Sequence, residues 1–311
     1  MFRGHRLAVS KSPGAVVLVL LSSLVAAGCA NVSARHDGQL LVVGAERQYA
    51  DLLSQLGGRY VSVVSILDNP SVDPHAFEAT TSVARDVSDA NLIVQNGLGY
   101  DSFMNSLESA TSPSRRVILS AQQVFHATSG STNPHLWYRV SAMDRLSRSI
   151  SYQLARLDPR HRTYFQLRLR KVEKSFARLT DQVKQFRHLH RNIHVLVSEP
   201  VANYLLSELG VTNVTPVQFE RDVMNGVDPA PQDVARSLAL VRSGRLDALV
   251  YNEQVSDPGT SALRSAALKY HVALVAVYET MPNGFHYQSW MSAEIVALTR
   301  AIELHQSTTR L

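Results

Sequence analysis

The chain has 311 residues, 45% of them apolar and 18% charged, with a formal charge of +5. That length and balance describe a folded globular protein with room for two lobes, and exclude a disordered or fibrous chain. The basic excess is terminal: Arg3, Arg6 and Lys11 precede residue 29 with no acidic residue among them. The remainder therefore carries +2, which excludes a nucleic-acid footprint.

Behind the basic head, residues 15–27 form a short apolar run, and Gly28-Cys29 follows. This is the layout of a secretory signal, and the run is too short for a comfortable membrane span. Cys29 is the only cysteine. Its position resembles a bacterial lipobox, whose thiol is acylated and becomes the new N-terminus, although Ala26 stands where leucine is commonest in that motif. The expectation is an exported, membrane-anchored lipoprotein, periplasmic or at the cell surface, with residues 1–28 as signal peptide and 29–38 as tether. A body without cysteine has neither a structural disulfide nor a thiolate metal site.

From Gln39 the pattern alternates between buried-strand runs and helical spacing. Residues 40–43, 60–67, 91–95 and 116–120 read as strands. Residues 49–56, 82–90 and 100–110 read as helices; the first stops at Gly57-Gly58. Asp158-Pro159 is a helix-start signal, an N-cap followed by proline at the first helical position. Apolar residues then recur at Phe165, Leu169, Val172, Phe176, Leu179, Val183, Phe186 and Leu189. The spacing predicts a helix from about 158 to 190, roughly 50 Å long at 1.5 Å per residue. That is longer than a crossover in one small sheet needs, and a helix linking two lobes accounts for it better than a coiled coil does. Alternation then resumes, with strands at 194–198, 248–251 and 272–277 and helices at 201–209, 233–243, 261–270 and 287–303. The predicted class is α/β: two lobes (39–155 and 193–311), each a mostly parallel sheet with flanking helices, joined by one long backbone helix (156–192).

In open α/β sheets, ligands bind beyond the carboxyl ends of the strands. His75 follows the strand at 60–67, and His135 follows the strand at 116–120, past the loop that holds His126. Glu199 comes directly after 194–198, and Glu279, behind Tyr278, after 272–277. Both histidines end a proline step, Asp73-Pro74-His75 and Asn133-Pro134-His135. Proline fixes its own φ and biases the preceding residue toward an extended shape, so the histidine after it is aimed. Two histidines from the first lobe and two carboxylates from the second would neutralise a divalent cation in a cleft between lobes. Four nitrogen and oxygen ligands suit zinc, and a bidentate carboxylate lets the same set serve manganese or iron. Asp73 is a candidate acceptor for the second ring nitrogen of a ligand histidine. Gly97-Leu98-Gly99 lacks the third spaced glycine of a dinucleotide loop. His188, His190 and His194 read as helix-end cations, and Trp137 and Trp290 as packing.

With these residues in place, the chain resembles the cluster 9 solute-binding lipoproteins of bacterial ABC importers over about residues 39–305. Val72-Asp73-Pro74-His75-Ala76-Phe77-Glu78 is similar to the family's first-ligand motif, and Asn133-Pro134-His135-Leu136-Trp137 to its second. Glu199 lies five residues before Tyr204, where zinc-type members carry His and many manganese-type members Glu. Glu279 falls where the family usually has Asp, so the position keeps a carboxylate. Asn96-Gly97-Leu98-Gly99 also looks like the family's stretch after its third strand. The resemblance implies two α/β lobes on a rigid helix and one bound Mn²⁺ or Zn²⁺, with Fe²⁺ as a further candidate. It also implies a membrane ABC permease as partner, a lipid anchor, a monomer and no turnover.

Two other readings use the same residues. A mononuclear metal hydrolase needs an open coordination position and a placed general base, and the chain has no His-Glu-x-x-His helix. A surface adhesin is compatible with a lipid anchor, but no partner surface is marked. The ion stays open: Glu199 and the single histidine between Val124 and Asn133 lean toward manganese or iron, whereas the intrinsic affinity order favours zinc. A long helix between lobes predicts small lobe motion, unlike a hinged receptor.

Overall fold

A computed structural model describes residues 38–69, 77–110, 116–128, 133–255 and 257–311. Cys29, Asp73 and His75 lie outside the described residues. No described helix is long and apolar enough to cross a membrane.

The first lobe is built on four parallel strands, β1 (Leu40–Glu46), β2 (Val61–Leu67), β3 (Leu92–Gln95) and β4 (Val117–Ser120), in the order β2-β1-β3-β4. Its helices are α1 (Arg47–Gly57), α2 (Thr81–Asp89), α3 (Ser102–Ser109), α4 (Ala121–Val124) and α5 (Val140–Leu157). Strand side chains alternate between faces, and the packing follows that period of two. Val42, Leu92 and Val94 join the main core, while Val43, Ala45 and Ile93 join a smaller cluster with Val87 and Met104 of α2 and α3. A sheet buried on both faces needs continuous apolar strands, as in Leu40–Val43.

Helix α6 (Arg162–Leu189) follows, and buries Phe165, Val172, Phe176, Leu179 and Phe186 along one stripe. The second lobe repeats the first sheet's plan with β5 (His194–Val197), β6 (Thr212–Asn213), β7 (Ala248–Asn252) and β8 (Ala273–Val277), ordered β6-β5-β7-β8 and all parallel. Its helices are α7 (Asn203–Leu209), α8 (Val217–Met224), α9 (Pro231–Arg242), α10 (Pro258–Lys269) and α11 (Tyr287–Leu304). The fold class read from the sequence, two parallel-sheet lobes with flanking helices and a long helix, is the one observed.

Two local expectations change. The long helix begins at Arg162, after a 3-10 turn over Pro159–His161. Asp158 does not cap it; its carboxylate pairs instead with the His161 ring, which stacks on Tyr60 with centroids 3.6 Å apart. Helix α5 is also an element that the sequence reading passed over. Its buried Val140, Met143, Leu146, Ile150 and Leu154 recur every three or four residues, a legible helical face.

Helix α6 packs against α5 and α1 and also against α7 and α11, so both lobes rest on it. Further bonds cross between lobes behind the sheets. Asp51 of α1 accepts from His286 Nδ1 at 2.6 Å and from the Tyr287 backbone N–H at 2.8 Å, holding the start of α11. Gln55 reaches Gln288 at 3.0 Å, and Tyr287 OH donates to the Trp137 carbonyl at 2.6 Å.

Strand β1 runs straight into α1, and the return is tight at Gly44, where an added Cβ would lie 2.3 Å from the backbone nitrogen of Ala50. Gly44→Ala is expected to cost about 1–3 kcal/mol through a forced backbone shift, read as a lower urea midpoint with an unchanged slope.

Candidate metal centre

In each sheet the strand order reverses between the first and third strands of the lobe, and side chains at the carboxyl ends there face a crevice. Between the lobes lies a cavity of about 450 Å³, lined by Leu98, Tyr100 and Pro134 of the first lobe and Glu199, Met224 and Val255 of the second.

His135 is fully buried at the start of a 3-10 turn. Asn133 Oδ1 accepts from the His135 backbone N–H at 3.0 Å and lies 2.8 Å from its Nδ1. The Asn133 amide nitrogen is committed elsewhere, donating to the Pro200 carbonyl at 2.7 Å. Its oxygen therefore faces the ring, and Nδ1 is the donor. That leaves Nε2 turned inward, without a hydrogen-bond partner and 3.5 Å from Glu279 Oε2. A second-shell acceptor that sets the tautomer of a ligand histidine is a common device. For His135 that acceptor is Asn133, which the sequence reading did not single out.

Glu279 is fully buried just past β8. Its backbone N–H donates to Gln254 Oε1 at 2.6 Å, and Tyr100 OH donates to its Oε2 at 2.9 Å. Burial, and then the Glu279 charge, push the Tyr100 hydroxyl well above its ordinary range, so it stays a donor. Tyr100 is handed over by the loop from Asn96 to Asp101, whose turn is tied by Asp101 accepting from the backbone N–H groups of Asn96 and Gly97. Glu199, 3% exposed, follows Ser198 at the end of β5.

Asn252, the last residue of β7, joins the two carboxylates. Its Nδ2 donates to Glu199 Oε1 at 2.6 Å and to Glu279 Oε1 at 2.7 Å. Its Oδ1 accepts from the Gln254 backbone N–H at 3.0 Å, which fixes the amide the right way round. The sequence reading took polar residues just beyond strand ends and stopped that strand one residue short of Asn252. The switch-point rule, applied to the third strand of the second lobe, is the signal that finds it.

Three of the four predicted ligands are thus brought together. His135 and Glu279 face each other, and Glu199 joins them through Asn252. His75 lies outside the described residues. Among those described, no three His, Cys, Asp or Glu side chains form a metal-holding cluster by themselves. Tyr204 donates to the Asn133 carbonyl at 3.0 Å, so the tyrosine five residues after Glu199 supports the His135 segment. His190 pairs with Glu303 at 3.5 Å and packs on Phe186 with ring centroids 4.6 Å apart, so its side chain is mostly buried rather than solvated. Trp137 and Trp290 are fully buried, as read.

Two α/β lobes on a shared long helix, with a buried histidine and two carboxylates between them, define a receptor of the metal-uptake class. The chain belongs to the zinc-uptake complex component A periplasmic family, which matches residues 42–301. It is 24% identical over 264 residues to the manganese-binding lipoprotein MntA of Bacillus subtilis (strain 168), covering 82% of this chain and 85% of that one. The periplasmic zinc-binding protein TroA of Treponema pallidum superposes with a TM-score of 0.72 at 19% identity, over 85% of this chain and 99% of that one. The solute-binding protein FpvC of Pseudomonas aeruginosa, solved with Mn²⁺, gives 0.68 at 18% identity, over 86% and 99%.

Behind the site, Tyr138 spans the segments that carry His135 and Glu279. Its hydroxyl lies 2.8 Å from the Tyr278 carbonyl and 2.8 Å from Glu294 Oε1, and it accepts from the Tyr278 N–H at 3.1 Å. One hydroxyl proton cannot serve two acceptors, so the second contact needs a proton on Glu294. Burial pushes that carboxyl up to about 8, against the pull of its bonds to Tyr138 and Trp290. A carboxyl raised in the fold favours folding fully below its unfolded value, near 4.5, and that advantage is lost as pH rises through about 8. Stability is therefore expected to fall by on the order of a few kcal/mol across that window. Glu294→Gln, which keeps the donor without the titration, should flatten the dependence in urea midpoints taken across the same pH range.

Proposed function

We propose that the chain captures one divalent transition-metal ion between its lobes, outside the cytoplasm, for delivery to the membrane permease of an ABC importer. His75, His135, Glu199 and Glu279 are the ligands. The observation that carries this reading is the buried Nε2 of His135, unpartnered and aimed at a buried carboxylate. Membership of a metal-uptake family supports the function, as do relatives named as manganese- and zinc-binding proteins. Relatives named as lipoproteins support the lipid on Cys29 and removal of residues 1–28. The working form is a monomer, with Asp73 as an acceptor for a ligand histidine. By family the protein is a binding protein rather than an enzyme.

Titration of the metal-free protein with Zn²⁺ and with Mn²⁺ tests the ligands. The wild type should bind one ion per chain. His135→Ala and Glu279→Ala should each abolish stoichiometric binding, and Asn133→Ala should weaken it by about 10- to 100-fold by releasing the ring. Unchanged stoichiometry and affinity in both ligand variants would refute the assignment.

The shared helix and the bonds behind the sheets oppose hinge opening. Small-angle scattering profiles with and without metal are expected to superimpose, and a change in radius of gyration of several ångströms would show a hinged receptor instead.

A further inference from the structure

Glu294 of α11 is 3% exposed, and its two oxygens have different surroundings. Oε1 accepts from Trp290 Nε1 at 2.8 Å and lies 2.8 Å from the Tyr138 hydroxyl. Oε2 is buried without a hydrogen-bond partner. The carboxyl borders a cavity of about 10 Å³ whose other described walls are apolar, among them Leu205 and Leu206 of α7, Val250 of β7 and Val277 of β8. That is room for about one water at most, and a buried water needs several polar partners. Nothing on that side solvates a negative charge. The titratable groups that face Glu294 are the hydroxyls of Tyr138, Tyr278 and Tyr287. Burial outweighs the bonds to Tyr138 and Trp290 and raises the carboxyl to about 8.

The consequence runs through Tyr138. Its hydroxyl proton can go to the Tyr278 carbonyl or to Glu294, not to both. A protonated Glu294 donates to the Tyr138 oxygen and leaves that proton for the carbonyl; an ionised Glu294 takes it. The Tyr278 carbonyl belongs to the same peptide group as the Glu279 N–H, which donates to Gln254 Oε1 at 2.6 Å. The peptide that carries Glu279 is thus held at one end by Gln254 and at the other by Tyr138. Tyr138 also closes the turn of His135, its N–H donating to the His135 carbonyl at 3.1 Å. We infer that Glu294 is a positioning residue for the metal centre: its proton lets Tyr138 hold the Glu279 peptide in place, so metal capture weakens when that proton leaves. This rests on His135 and Glu279 as ligands, as proposed above.

The test compares pH profiles of Zn²⁺ affinity, taken at chelator-buffered free zinc, in the wild type and two variants. Glu294→Gln donates to Tyr138 and does not titrate; Tyr138→Phe removes the clasp and keeps the acid. From about pH 7 to about pH 9 the wild type should lose about fivefold or more in affinity relative to either variant. Linkage makes the coupling reciprocal. The protonated-carboxyl infrared band that Glu294→Gln deletes should therefore titrate near 8 without metal and about one pH unit higher with zinc bound. Wild-type and variant profiles that run parallel, or a band whose midpoint zinc leaves in place, overturn the inference while the ligand set stands. If the wild type binds no zinc, the ligand set itself falls and the inference with it. Should Glu294→Gln fail to fold, Tyr138→Phe alone decides by the same profile.

Discussion

Two glutamates buried side by side are the constraint around which this molecule is organised. Glu199 and Glu279 leave solvent almost entirely, and the neutral amide of Asn252 binds both. Burying like charges together is unfavourable unless donors or a cation offset the loss of water. Tyr100 adds a donor on Glu279, and His135 turns Nε2 toward it at 3.5 Å. A site arranged this way gains most from a divalent cation, which converts the repulsion into shared attraction.

The supports for that arrangement are spread over both lobes. Asn133 orients His135 and also bonds to Pro200, next to Glu199. Asn96 ties the Pro134 carbonyl to the loop that carries Tyr100. Tyr138 clasps the Tyr278 backbone from behind, with the carboxyl of Glu294 as its third partner. Each bond is ordinary in strength, on the order of 1 kcal/mol. Together they keep side chains from two independent sheets in register, which a single flexible hinge would not do.

The main core runs through both lobes rather than stopping at each, and α6 lies along it. That continuity follows from an apolar stripe on a helix too long for either sheet alone. The Asp51 contact with the start of α11 acts in the same direction, coupling a helix of the first lobe to one of the second. These contacts oppose wide separation of the lobes.

Much of this was legible in the chain. Continuous apolar runs marked the strands because both sheet faces are buried, and the stripe from Phe165 to Phe186 marked the long helix. The Pro-His steps and the acids after β5 and β8 marked candidate ligands because strand ends face the crevice. Other features needed the fold. Asn133 and Asn252 carry no charge, and their roles are set by hydrogen bonds that the fold completes: Asn133 with His135 and Pro200, Asn252 with Glu199 and Glu279. Asp158, a strong helix cap in sequence terms, was taken by His161 because Tyr60 offers that ring a stacking face. The sequence by itself determined most of the elements, their α/β class and the types of the candidate ligands, since those depend on periodicity and strand ends. Only the tertiary structure decided which donors hold the two glutamates and which nitrogen of His135 faces inward, because hydrogen-bond direction is settled between chain segments that meet only on folding.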